Sequence, residues 1–351
     1  MSNAPLRLEQ YDTVLYNANL NPMGVPESVM KALEEHKEAV LRYPGDYYGQ
    51  LKDSIAAYTK CNKDNIILTN GSSDMLRLFT NILAPEKAMI LVPSFSEYEK
   101  VLNISGCEIS YYELSEENDF AFDLADFVGH LDSSLDMIII GNPNNPTSQI
   151  IPKDDLETLA AVCKELEIFL LIDEMYIEFT ENYMDLTCVP LIEEYDNIAV
   201  LRSVSKFFAV PGLRLAYAIM KNEEYMKAIN LKSSPNNISS LTAVACAAML
   251  QDAEYIYSSR SQIYTERNLI FSAMSTSKDV KLFKPYANFM LVKLLNDGIT
   301  ASQVADSCKL KGIIIRDCEN IRGLSEKYIR FCFMKPEQND LLVNTILEVV
   351  K

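Results

Sequence analysis

Along the middle of the chain, short apolar runs alternate with amphipathic stretches. The runs fall at 66–68, 88–92, 137–140, 168–172 and 198–201. Each is rich in β-branched residues or leucine and apolar on both faces, the pattern of a parallel strand covered by helices on either side. Between them lie helical patterns. The clearest is 154–167, where Leu156, Leu159, Ala160, Cys163 and Leu166 share one face, and Pro152 and Asp154 mark its start. A sixth run, 215–220, follows after a loop too short for a crossover helix, which predicts an antiparallel neighbour in the same sheet. From about residue 222 the pattern turns helical, with 241–250 well buried. Further helices are expected near 253–275, 301–311 and 337–350, separated by apolar segments at 289–294, 312–316 and 328–333. The expectation is an α/β fold: a mostly parallel sheet flanked by helices in a large domain, residues 36–250. A smaller α+β domain is expected from residues 1–35 plus 251–351.

In open parallel sheets, ligands bind beyond the carboxyl ends of the strands. The first run leads to Thr69, Asn70, Gly71, Ser72 and Ser73; the second to Pro93, Ser94 and Phe95; the third to GNPNNPT (141–147). The fourth leads to Asp173, Glu174, Met175 and Tyr176, and the fifth to RSVSK (202–206). No single end is informative; their coincidence on one sheet edge is. Gly71, Ser72 and Ser73 open a helical pattern at 74–83, where free N–H groups and hydroxyls make a phosphate cradle, or only an N-cap. The Asn142–Pro146 stretch is either a turn or a stiff loop holding the Asn145 amide toward a ring hydroxyl. Asp173 follows a strand apolar on both faces, where an unpaired carboxylate is costly; opposite a pyridinium nitrogen it would keep that nitrogen protonated. Otherwise it caps the next segment. Lys206 sits in an apolar setting (SKFFAVPGLRLAY), where burial lowers an amine's pKa and makes it a nucleophile toward an aldehyde. Ser203 and Ser205 flank it, and Arg214 follows as a fork for phosphate. Phe95 could stack on a flat ring or simply be core. Together the set matches a planar, protonated heteroaromatic ring bearing a phosphate and an aldehyde.

Composition narrows the partners. Among 351 residues, 49 are acidic and 32 basic, a formal charge of −17, which disfavours nucleic acid and anionic membrane surfaces. The eight cysteines are scattered without a CxxC pair, and there are only two histidines, so no metal site is expected. Cysteines in apolar stretches such as LTAVACAAML read as reduced core residues. With MSNAPLRLEQYD lacking an apolar signal region, the expected location is the cytoplasm. No GxGxxG follows the first strand, which removes support for a dinucleotide-binding dehydrogenase.

The segments YNANLNPMGVP (16–26), RYPGDYYGQL (42–51), GNPNNPT, DEMYIEF (173–179), RSVSKFFAVPGLRLAY (202–217) and IRDCENIRGLSEKYIRFCF (315–333) resemble fold-type I, pyridoxal-5'-phosphate-dependent aminotransferases. The similarity is to the branch of histidinol-phosphate aminotransferase and threonine-phosphate decarboxylase, and it runs from about Asn17 to the C-terminus. The resemblance implies pyridoxal phosphate as cofactor, with Lys206 as the Schiff-base lysine that also shuttles the α-proton. It implies Asp173 at the pyridine nitrogen, Asn145 and Tyr176 at the ring 3'-oxygen, and Phe95 stacked on the ring. Ser72, Ser73, Ser203, Ser205 and Arg214 correspond to the phosphate cup. Tyr43, with Tyr48 as a nearby alternative, resembles the tyrosine that reaches a neighbouring subunit's cofactor, implying a homodimer. Arg330 matches the clamp on the substrate carboxylate, with Asn19 beside it; Arg316 would take a distal anion.

The implied activity is transamination of a small amino acid or amine, expected to carry a phosphate or phosphonate. The alternative is α-decarboxylation of a phospho- or phosphono-amino acid, the seating of the substrate deciding whether a C–H or a C–carboxylate bond breaks. The stretch AMILVPSFSEYEKVLNISGCEI, the lysine segment and IRDCENIRGL look closer to the decarboxylases, but their His-Gly-Gly segment near the N-terminus is missing. Two further departures are Ser148 where the pattern has glycine and Gly45 where it has aspartate. A non-catalytic cofactor-binding domain is disfavoured by the presence of Lys206, Asp173 and Arg330 together.

Overall fold

The computed structural model describes residues 13–351; the MSNAPLRLEQYD segment lies outside the described residues. In chain order the strands are β1 (Val14–Leu15), β2 (Ile66–Thr69), β3 (Lys87–Val92), β4 (Glu108–Glu113), β5 (Met137–Gly141), β6 (Phe169–Asp173) and β7 (Ile198–Ser203). They continue with β8 (Ala216–Ile219), β9 (Val280–Leu282), β10 (Phe289–Leu294), β11 (Ile313–Ile314), β12 (Arg316–Asp317) and β13 (Tyr328–Cys332). Seven of them form one sheet in the order β2-β8-β7-β6-β5-β3-β4. The pairs among β4, β3, β5, β6 and β7 are parallel. As the short preceding loop required, β8 is antiparallel to β7; it is also antiparallel to β2, so β2 points the same way as the others.

The doubly apolar runs have a direct structural meaning. Ile138, Ile140, Leu170, Ile172, Ile198 and Val200 join one hydrophobic core. Their neighbours Met137, Ile139, Phe169, Leu171, Ala199 and Leu201 join another. Alternate residues of a strand point to opposite faces, so both faces of the sheet are covered. The helix Lys153–Glu165 buries Leu156, Leu159, Ala160 and Cys163, the stripe its spacing predicts. It stops short of the expected 167 because Glu167 adopts a left-handed φ of 61°. Strand β4 is unforeseen by apolar runs: EISYYE is an edge strand in which Tyr112 alone is buried.

The C-terminal sheet, β12-β13-β10-β9, is antiparallel where its strands pair. Helices Ala253–Met274, Ala301–Leu310 and Pro336–Val349 accompany it, close to the expected positions. The apolar segment 312–316 is not one strand: β11 pairs in parallel with β1, whereas β12 pairs with β13. No helix among the described residues is long and apolar enough to cross a membrane.

Candidate active site

Five parallel-running strands deliver their following residues to one edge of the sheet. After β2 the chain turns at Gly71 (φ 95°) into the helix Ser72–Leu83. The first N–H groups of a helix have no partner within it and present a positive end. Gly71 is required twice over: its φ is accessible mainly to glycine, and a Cβ there would collide with the Arg214 guanidinium. Arg214 leaves the short turn Pro211–Leu213 in a left-handed conformation and donates from Nη1 to the Pro211 carbonyl (3.3 Å). At the end of β7, Ser203 Oγ donates to the Leu215 carbonyl (3.1 Å) and accepts from the Ser205 N–H (3.2 Å). The result is a pole of N–H groups, hydroxyls and one guanidinium.

This pole opens into a cavity of about 210 Å³ lined by Ser72, Ser73, Phe95, Tyr98, Pro143, Asn145, Asp173, Met175, Tyr176, Ser203, Ser205, Lys206, Pro211 and Arg214. Lys206 Nζ donates to the Ala18 carbonyl (2.8 Å). Burial, reinforced by the charges of Arg330 and Arg214, pushes its amine down to about 8. Asp173 is buried, and burial pushes its carboxyl up to about 6. Two donors oppose that shift: the Tyr98 hydroxyl on Oδ2 (2.7 Å) and the Met175 N–H on Oδ1 (2.9 Å). Tyr176 Oη accepts from Asn19 Nδ2 (3.2 Å), and its ring meets Phe289 edge-on at 4.8 Å. Asn145 Oδ1 accepts from Arg330 Nη1, which leaves Nδ2 as the amide's outward donor. Arg330, 7% exposed, also donates from Nη2 to the Asn17 carbonyl (2.8 Å), while its buried Nε has no partner among the described residues.

Asn19 and Arg330 do not line this cavity but touch its wall through Tyr176 and Asn145, and three further residues of the expected site stand apart from it. Arg316 lies opposite Arg330 in the β12–β13 register and donates to Asn320 Oδ1 (2.7 Å). Tyr43 is 80% exposed on a second depression with Val40, Leu41, Ser239 and Ser240. Tyr48 is held internally: its hydroxyl donates to the Ile238 carbonyl and accepts the Ile238 N–H, both at 2.8 Å.

Two features escaped the sequence. Tyr98, three residues beyond Phe95 and inside the helix Ser96–Ser105 that Phe95 precedes, packs edge-on against it (5.6 Å) while holding Asp173. The detectable signal was that spacing. Behind the site, Arg202 on β7 is fully buried and binds Glu174 Oε2 through Nε (3.0 Å) and Nη2 (2.9 Å). Glu178 lies 3.8 Å from it and burial pushes that carboxyl up to about 7. The pair ties the ends of β6 and β7 together.

The donor set fits pyridoxal phosphate. The helix start with Arg214 suits a phosphate, Lys206 an aldehyde, Asp173 a cationic ring nitrogen, and Phe95 the flat face of a ring. The sequence profile described as "Aminotransferase class I and II" matches residues 12–346. The chain belongs to that family. Threonine-phosphate decarboxylase from Salmonella typhimurium is 30% identical over 336 residues, covering 95% of this chain and 90% of that protein. Histidinol-phosphate aminotransferase from Methanococcus maripaludis is 28% identical over 339 residues, covering 95% and 89%. The crystal structure of the histidinol-phosphate aminotransferase from Clostridium acetobutylicum superposes with a TM-score of 0.89 at 32% identity, covering 96% of this chain and 99% of that one. The aminotransferase fold, a large mostly parallel sheet with flanking helices beside a small antiparallel sheet, is therefore shared along nearly the whole chain.

Proposed function

We propose that this aminotransferase-family protein is a pyridoxal-phosphate enzyme that transaminates a small amino acid or amine carrying a second anionic group. The observation that carries the reading is that Lys206 and Asp173 line one cavity whose far pole is built for a phosphate. When bound, the cofactor supplies an aldehyde that condenses with amines and a ring that withdraws electrons from the substrate Cα. The residues supply the rest. Lys206, its pKa lowered toward neutrality, is the nucleophile that holds the cofactor and then moves the Cα proton. Asp173, kept in place by Tyr98 and the Met175 N–H, holds a proton on the ring nitrogen. Tyr176 and Asn145 Nδ2 donate to the ring 3'-oxygen. Ser72, Ser73, Ser203, Ser205 and Arg214 grip the phosphate, and Phe95 covers one ring face.

Arg330 would seat the substrate's carboxylate, with Asn19 beside it and Arg316 toward a distal phosphate. Arg330→Ala is expected to raise KM for such substrates by about 10²- to 10³-fold with cofactor retained, because a buried charge-assisted pair is lost. Steady-state kinetics at several substrate concentrations checks this; an unchanged KM removes Arg330 from the role.

The 30% identity to a threonine-phosphate decarboxylase supports a second reading, α-decarboxylation of a phospho- or phosphono-amino acid. Turnover of a small panel, histidinol phosphate, O-phospho-L-threonine and O-phospho-L-serine, decides between them. A carbonyl product formed with 2-oxoglutarate as acceptor is the expected result; CO₂ released without it overturns transamination. Residues 36–250 would form the cofactor-binding domain and 1–35 plus 251–351 the smaller one. The exposed Tyr43 beside Val40 (63%) and Leu41 (80%) supports a homodimer in which Tyr43 reaches the neighbouring cofactor. The acidic chain without a membrane-crossing helix among its described residues would work in the cytoplasm.

A further inference from the structure

Ser148 is fully buried and holds a φ of 62°, a conformation that favours glycine. Its Oγ accepts two backbone N–H groups from a distant part of the chain, Tyr286 (3.1 Å) and Ala287 (2.8 Å). Its carbonyl accepts from Tyr286 as well (3.2 Å), and its own N–H donates to the Asn144 carbonyl (2.8 Å). Ala287 N–H has no other acceptor among the described residues, and the residue is buried. A glycine at 148 would relieve the backbone but leave that N–H unmet, so the serine is favourable here only through its hydroxyl.

The segment thus held leads straight into the site. Asn288 Nδ2 donates to the Asn19 carbonyl (3.1 Å), and Phe289 packs on Tyr176 and lies 5.4 Å from the Arg330 guanidinium. Leu291 is the register partner of Arg330. Asn145, three residues before Ser148, accepts from Arg330. The loop, the segment, β10, β13 and Arg330 therefore close a ring, and Ser148 is one of its joints.

We propose that Ser148 is a positioning residue for substrate binding: its hydroxyl clamps the segment before β10 onto the loop bearing Asn145 and so sets where Arg330 meets the substrate anion. The inference rests on the proposed function for the part played by Arg330.

The test compares wild-type holoenzyme with Ser148→Gly, which removes the hydroxyl without adding backbone strain, and with Ser148→Ala. Amide hydrogen exchange across 284–288 needs no turnover. It should quicken by about tenfold in both variants, while β5 and β6 keep their protection. The dissociation constant of O-phospho-L-threonine, read from the cofactor's absorbance, should rise by about tenfold, with affinity for pyridoxal phosphate changed less than about twofold. Unchanged exchange overturns the clamp; quickened exchange with unchanged probe affinity overturns its link to Arg330. If wild type gives no saturable response to this probe, the phosphorylated-substrate reading fails. L-Alanine, whose single anion Arg330 would take, then serves as probe, and the same two outcomes decide the clamp.

Discussion

In a Lys206→Ala protein, borohydride reduction in the presence of pyridoxal phosphate is expected to leave no cofactor covalently attached. Turnover is expected to fall by at least about 10³-fold, since both a nucleophile and a positioned base are lost. Mass spectrometry of the reduced protein checks the first part. In the wild type the added mass should map to the peptide containing residue 206, and a variant that still carries it would remove Lys206 from its place. The pH dependence follows from the environment. Burial and the neighbouring Arg330 and Arg214 lower the amine to about 8. Only the unprotonated amine attacks an aldehyde, so cofactor capture by the apoprotein should accelerate as pH rises from 7 through 8 and then level off. An ordinary lysine, with its pKa above 10, would keep accelerating past pH 9.

The Asp173→Asn variant should lose about 10²- to 10³-fold in kcat with little change in fold. A carboxylate beside a cation shifts that cation's pKa by about 1–3 units, each unit a tenfold change in protonated fraction once pH exceeds the new value. Asparagine has nearly the same shape but a single acceptor, where the native carboxylate takes Tyr98 on one oxygen and the Met175 N–H on the other. The Tyr98 hydroxyl can turn to accept from the new amide, so packing survives while the charge does not. The raised pKa of Asp173 gives the sign of a second effect. Burial alone raises the Asp173 carboxyl to about 6, and a cationic ring beside it would draw that value down, so the acid limb of wild-type activity should lie below pH 6. The variant should not show that limb. Pre-steady-state and steady-state rates between pH 5 and 8 check both; equal kcat in the two proteins would remove the charge from the mechanism.

Much of this arrangement could be read from residues in order, because strand ends in a parallel sheet share one edge. Once the runs ending at Leu68, Ile140, Ile172 and Leu201 were strands, Ser72, Asn145, Asp173 and Lys206 had to gather. What stayed hidden was contact between side chains far apart in the sequence. Arg330 on Asn145 joins residues 185 apart, and Tyr98 on Asp173 joins residues 75 apart. The Arg202–Glu174 pair was hidden for a different reason: a charged residue inside an apolar run, with its partner just past another, gives no sign from pattern alone that it will be buried. Likewise, β4 was hidden because an edge strand is not covered on both sides, and EISYYE lacks the continuous apolar run that marked its neighbours. Ser148 was visible only as a departure from glycine; its reason is the pair of amides it receives.

Because each strand tip contributes its own group, the scaffold separates support from chemistry. A substitution in one loop can redirect a bond-breaking step without disturbing the sheet beneath it. That modularity gives a physical basis for this chain being similar, along nearly its full length, to catalysts named for moving an amino group and to others named for removing a carboxylate.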